Sequence, residues 1–82
     1  MRLARDLSGA ALAKALETLG YQITRQTGSH IRLTTQERGE HHMTIPSHQA
    51  LRVGTLAGIL DEVAEHFTME RAALVERLFG PR

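Results

Sequence analysis

The chain has 82 residues, with ten Lys and Arg against nine Asp and Glu and no cysteine. Such a length fits one small domain, the near balance of charge demands no polyanionic partner, and the missing cysteine excludes disulfides and thiolate metal centres. No apolar run approaches membrane-spanning length and the opening MRLARDLSG lacks the apolar middle of a secretion signal, so a soluble cytoplasmic protein with no membrane contact is expected.

Ser8 to Gly20 reads as a first helix, since Leu12, Leu16 and Leu19 share one face and Gly20 supplies a stop. Ser8 is an N-cap, and Leu7 before it can staple onto Leu12. From Tyr21 the period changes to two, with Tyr21 and Ile23 on the core face of a strand and Gln22 and Thr24 on the other. Arg25 shares the parity of Ile23, so unless the strand bulges it faces the helices. Thr27-Gly28 turns the chain, the glycine supplying a backbone angle that other residues adopt at a cost.

A second strand from Ser29 to Thr35 alternates Ile31 and Leu33 with His30, Arg32 and Thr34. Gln36 to Glu40 forms the next turn. His41 to Ile45 is a third strand with Met43 and Ile45 inward and His42 and Thr44 outward, and Pro46 ends the sheet. After a loop from Ser47 to Val53, a second helix begins near Gly54 or Thr55 and buries Leu56, Ile59, Leu60 and Val63. Thr68 reads as the N-cap of a third helix from Met69 to about Phe79, with Leu74, Val75 and Leu78 apolar, stopped by Gly80-Pro81. The order is α-β-β-β-α-α. An α+β fold follows: a three-stranded antiparallel meander with helices covering one face, plus a short C-terminal helix.

Inward Ile31 and Leu33 force His30 and Arg32 outward, because neighbours on a strand alternate faces. His30 therefore sits exposed at the start of a strand beside Gly28, where a ligand backbone can come close. Residues 1 to 56 carry a net +3 and 57 to 82 a net −2, so the basic excess travels with this half, and nine of the ten basic residues are arginine, the better partner for phosphate. Arg25, Arg32, Arg38 and Arg52 lie near the turn. Arg52 precedes a helix start at Gly54-Thr55 whose free N–H groups can hold a phosphate oxygen. A metal site is not expected, since His41 and His42 point to opposite faces and no carboxylate cluster joins them and His48. Ser29 and His30 diverge on their strand and lack an orienting carboxylate, which argues against a Ser-His hydrolase. With a single tyrosine and no aromatic ladder, base stacking on single strands is disfavoured.

Leu7-Ser8-Gly9, Ala15-Leu16-Glu17 with Gly20-Tyr21, Arg25-Gln26-Thr27-Gly28-Ser29-His30, Met43-Thr44-Ile45-Pro46-Ser47-His48 and Val53-Gly54-Thr55-Leu56 with Ile59-Leu60 occur in an order and spacing that resembles the HicA toxins. The resemblance covers residues 6 to 67 of a single domain spanning 1 to 82, with 68 to 82 as a helical extension. It implies a double-stranded-RNA-binding-like fold, endoribonuclease activity on mRNA and a HicB-type antitoxin as partner, and the cleavage is expected to be metal-independent and to use no cofactor. It assigns catalysis to His30, with Gly28 and Ser29 as its surroundings. RNA contacts are then expected from Gly28, Ser29, Arg32, Arg52, Gly54 and Thr55, through phosphates and 2′-hydroxyls. The competing expectations are a non-catalytic RNA-binding module and an adaptor that docks another protein.

Overall fold

A computed structural model describes residues 7–80; the opening residues 1 to 6 and Pro81 of the expected Gly80-Pro81 stop lie outside them. Ser8 caps the first helix, α1 (Gly9–Leu16), its Oγ accepting a hydrogen bond from the Ala11 N–H at 3.0 Å. A 3-10 turn over Glu17–Leu19 and left-handed Gly20 end this segment. Strands β1 (Gln22–Gln26), β2 (His30–Thr35) and β3 (His41–Pro46) form an antiparallel sheet in the order β1-β2-β3. Two helices follow, α2 (Val53–Phe67) and α3 (Arg71–Phe79).

The alternating pattern of β2 and β3 produces the core as expected. Ile31, Leu33, Met43 and Ile45 face the helices and are buried against Leu12, Leu16, Leu56, Leu60 and Leu74. Helix α1 lies across β2 and β3, and α3 packs on α1 and α2. Thr35 is the one buried polar residue among the described residues; its hydroxyl donates to the Leu19 carbonyl at 3.1 Å and accepts from the Glu37 N–H at 3.0 Å. An Arg71–Asp61 pair with bonds of 2.9 and 2.8 Å joins α3 to α2 at the surface.

Three expectations are corrected. Ile23 lies opposite Leu33 on the helix side but is 44% exposed, because β1 is an edge strand lying beyond the helices. The register of β1 against β2 shifts between Ile23 and Arg25, leaving Thr24 as a bulge and placing Arg25 opposite Arg32. Arg25 therefore faces outward, not toward the helices. Thr68 does not start α3: it ends α2 in the left-handed region (φ 55°), its N–H bonded to Ala64 and Glu65 carbonyls, and the N-cap of α3 is Glu70. The Met69 N–H closes on the Ala64 carbonyl at 2.9 Å, so the last turn of α2 claims the two residues that the sequence lends to α3. Smaller shifts bring Pro46 into β3 and start α2 at Val53.

Leu60 is fully buried at the centre of this core. Leu60→Ala is expected to cost about 2–5 kcal/mol of unfolding free energy, measured by urea denaturation, because the emptied volume cannot be refilled.

Candidate functional site

The turn between β1 and β2 is held from both sides. Within it, the Thr27 N–H donates to the His30 carbonyl at 2.9 Å and the Thr27 hydroxyl accepts from the His30 N–H at 3.1 Å. From beyond β3, Ser47 donates its N–H to the Ser29 carbonyl at 3.0 Å and its hydroxyl to the Gly28 carbonyl at 2.9 Å. The Gly9 N–H then donates to the His48 carbonyl at 2.9 Å, and the Leu51 N–H to the Leu7 carbonyl at 2.8 Å. These links bring the start of α1, the β1–β2 turn, the end of β3 and the segment entering α2 to one end of the molecule.

At that end His30 is exposed, and its Nδ1 lies 3.1 Å from Ser29 Oγ. When Nδ1–H donates to the serine, Nε2 presents its lone pair. Arg32 stands two residues along the same open face, about 7 Å away at the usual strand rise, with Arg25 opposite it on β1 and Thr44 on β3. Arg25 is the basic neighbour that strand parity concealed.

Gly28 corrects another expectation. Its φ is not in the left-handed region, and a Cβ there would meet nothing within 4 Å, so the turn does not require glycine. What the glycine leaves is bare backbone beside His30. Gly9, which sequence reading did not single out as structural, is the constrained one: a Cβ built on it would lie 2.0 Å from the Pro46 carbonyl oxygen.

Arg52, Gly54 and Thr55 are exposed in the segment that opens α2. Arg52 occupies the N-cap position without capping through its side chain, and no acidic residue stands in the first turn. The positive end of the α2 dipole is thus unneutralised locally. These three residues reach the His30 end through the backbone chain from Leu51 to Ser29, with no side-chain hydrogen bond joining the two groups among the described residues.

His41 and His42 point to opposite faces, as expected, and each lies between a hydroxyl and a carboxylate. On the open face the Thr34 hydroxyl donates to His42 Nδ1 at 2.8 Å, and His42 Nε2–H donates to Glu40 at 2.6 Å. On the helix side the Tyr21 hydroxyl donates to His41 Nδ1 at 2.6 Å, and His41 Nε2–H donates to Glu62 at 3.0 Å. His41 also stacks on His66 with ring centres 4.6 Å apart, and His66 donates to the Glu37 carbonyl at 2.9 Å. This second cluster lies toward the β2–β3 turn, at the opposite end from His30. Burial, with the Glu62 carboxylate adding to it, pushes the Tyr21 phenol from 10.0 up to about 12. Among the described residues no three His, Cys, Asp or Glu side chains converge as a metal-binding set, and no helix is long and apolar enough to cross a membrane.

The family model described as HicA toxin of bacterial toxin-antitoxin matches residues 9–64. That span runs from the glycine seated on Pro46 to the last buried residue of α2, and so includes His30, its turn and the segment that enters α2. No curated protein and no solved structure matches the chain significantly.

Two outcomes follow from this geometry. Gly9→Ala should lower the thermal midpoint, because its methyl group meets backbone, whereas Gly28→Ala should melt as the parent does; differential scanning fluorimetry on the pair checks this. Tyr21, with its folded pKa above the unfolded 10.0, contributes stability that is fully present below that pH and lost as pH rises toward about 12. Urea titrations across that window should show a decline in stability that is shallower in Tyr21→Phe.

Proposed function

The chain belongs to the HicA toxin family of bacterial toxin-antitoxin systems, and from that membership we propose that it is an endoribonuclease that cleaves mRNA through His30 and is silenced by a HicB-type antitoxin. The observation that carries the proposal is an exposed imidazole held in a turn braced by Thr27 and Ser47, beside bare backbone at Gly28. Imidazole exchanges protons near neutral pH, and such a group supplies typically about 10²- to 10⁴-fold in rate.

RNA brings its own nucleophile, the 2′-hydroxyl, so proton transfer by side chains and donors for the phosphate can carry cleavage without a metal. His30 is exposed and its Nε2 makes no hydrogen bond to the described residues, which leaves that nitrogen to take the proton. Arg32 and Arg25, side by side on the open face, offer guanidinium groups to the phosphates flanking the cut. Gly28 and Ser29 allow the RNA backbone to approach, while Arg52, Gly54 and Thr55 at the α2 N-terminus hold a phosphate further along the strand. Attack by the 2′-hydroxyl leaves a 2′,3′-cyclic phosphate.

Incubation of the purified protein with RNA in excess chelator tests this reading. Cleavage with a cyclic phosphate end is expected, and His30→Ala should abolish it without changing the circular dichroism spectrum, since an exposed strand residue adds little to packing. Retention of RNA without cleavage would indicate a binding module instead, and a folded His30→Ala protein that still cuts would remove His30 from the mechanism.

The antitoxin need only exclude RNA from this end of the molecule. Because the surface from Gly28 to Arg32 and from Arg52 to Thr55 is basic and polar, an acidic partner face is expected to dock there. Arg32→Glu and Arg52→Glu should slow association measured by stopped flow, more strongly at low salt than at high salt.

A further inference from the structure

Displacement at an RNA phosphodiester calls for two proton transfers, one from the attacking 2′-oxygen and one to the departing 5′-oxygen, and a single imidazole in one position serves only one of them at a time. The chain has five histidines. His41 and His66 stack at the far end on the helix side. His42 shares the open face with His30, but it pairs with Thr34, four residues further along β2, or about 13 Å away at the usual rise. Among the described residues the carboxylates also lie elsewhere: Glu17 and Glu37 flank Gly20, Glu40 and Glu62 hold His42 and His41, Asp61 pairs with Arg71, and Glu65, Glu70 and Glu76 belong to the end of α2 and to α3.

His48 remains. The ladder pairs His30 with Pro46, and the Ser47 N–H donates to the Ser29 carbonyl, so the chain continues one step past the strand alongside Gly28-Ser29. Extending that register by one more residue makes His48 the diagonal neighbour of His30, a position at about 7–8 Å in a regular ladder. It is exposed, and its backbone is pinned by the Gly9 N–H at 2.9 Å. Two imidazoles at that spacing can flank one phosphate.

We infer that His48 is a second catalytic residue, the general acid that protonates the departing 5′-oxygen while His30 acts as general base; this rests on the ribonuclease reading above. His30 Nε2 takes the proton of the 2′-hydroxyl, whose oxygen bonds to phosphorus. The phosphorus–O5′ bond breaks, and O5′ takes a proton from the His48 imidazolium. The products are a 2′,3′-cyclic phosphate and a 5′-hydroxyl, with His30 charged and His48 neutral until both exchange protons with water. No electron transfer or co-reactant is involved.

The test compares an ordinary RNA oligonucleotide with one carrying a bridging 5′-sulfur at the cut site, whose thiolate leaves without protonation. His48→Ala is expected to lose about 10²- to 10⁴-fold on ordinary RNA and to recover close to the parent rate on the sulfur-bridged substrate, while His30→Ala stays impaired on both. Only the backbone carbonyl of His48 holds the Gly9 link, so the variant should keep the parent melting temperature. Equal impairment of His48→Ala on both substrates, full activity on both, or rescue of His30→Ala in its place would each overturn the assignment while leaving the ribonuclease reading intact. A parent protein that cuts neither substrate would overturn both.

Discussion

The contact between Gly9 and the Pro46–His48 backbone organises the end of the molecule that carries His30. A helix start can approach a strand end this closely only where no side chain intervenes, and the 2.0 Å clash that a Cβ would make shows how little room remains. The seat fixes α1 against β3. Ser47, one residue on from Pro46, then reaches across to Gly28 and Ser29, and Leu7, two residues before Gly9, receives Leu51 on its way into α2. An exposed turn would ordinarily sample many conformations. Here its geometry is inherited from a packed helix terminus, so the position of an exposed imidazole is decided by buried backbone.

The sheet separates two kinds of polar chemistry with one alternation of faces. His41 and His42 are neighbours in sequence and make the same pair of contacts, hydroxyl on Nδ1 and carboxylate on Nε2, yet one closes the helix side and the other decorates the open side. The inner set ties Tyr21, which is nearly fully buried, to β3 and α2. This satisfies a phenol that would otherwise be orphaned in the core. Its tautomer is dictated by the carboxylate, which leaves Nδ1 free to accept. Such an arrangement is structural, and it extends to the β2–β3 turn through His66, which stacks on His41 and donates to the Glu37 carbonyl.

Periodicity made most of the fold legible. The alternation of Ile31, Leu33, Met43 and Ile45 sets both strand faces, and the spacing of Leu56, Ile59, Leu60 and Val63 sets the α2 stripe. His30 was readable as outward-facing for the same reason. Arg25 was not, because a bulge is a property of two strands together: the extra residue, Thr24, is visible only against the register of β2. Thr68 misled through its chemistry, since threonine favours N-caps in general while the chain here needs a left-handed residue to close α2. The two site glycines exchanged their meanings. Gly28 looked like backbone necessity and proves to be open space, whereas the steric need at Gly9 comes from a strand almost forty residues away.

The bulge at Thr24 also bears on how the protein survives in a crowded solution. Strand β1 is an edge with every residue exposed, among them Ile23, and a straight edge of that kind is a template onto which another chain can add a strand. One surplus residue twists the edge and breaks the even spacing of its outward N–H and C=O groups, and the guanidinium it swings out sets two like charges across from each other on β1 and β2. A second copy approaching edge to edge meets an irregular ladder and a cationic strip. The irregularity that disfavours edge-to-edge pairing at β1 is thus the same one that gives the open face its paired arginines.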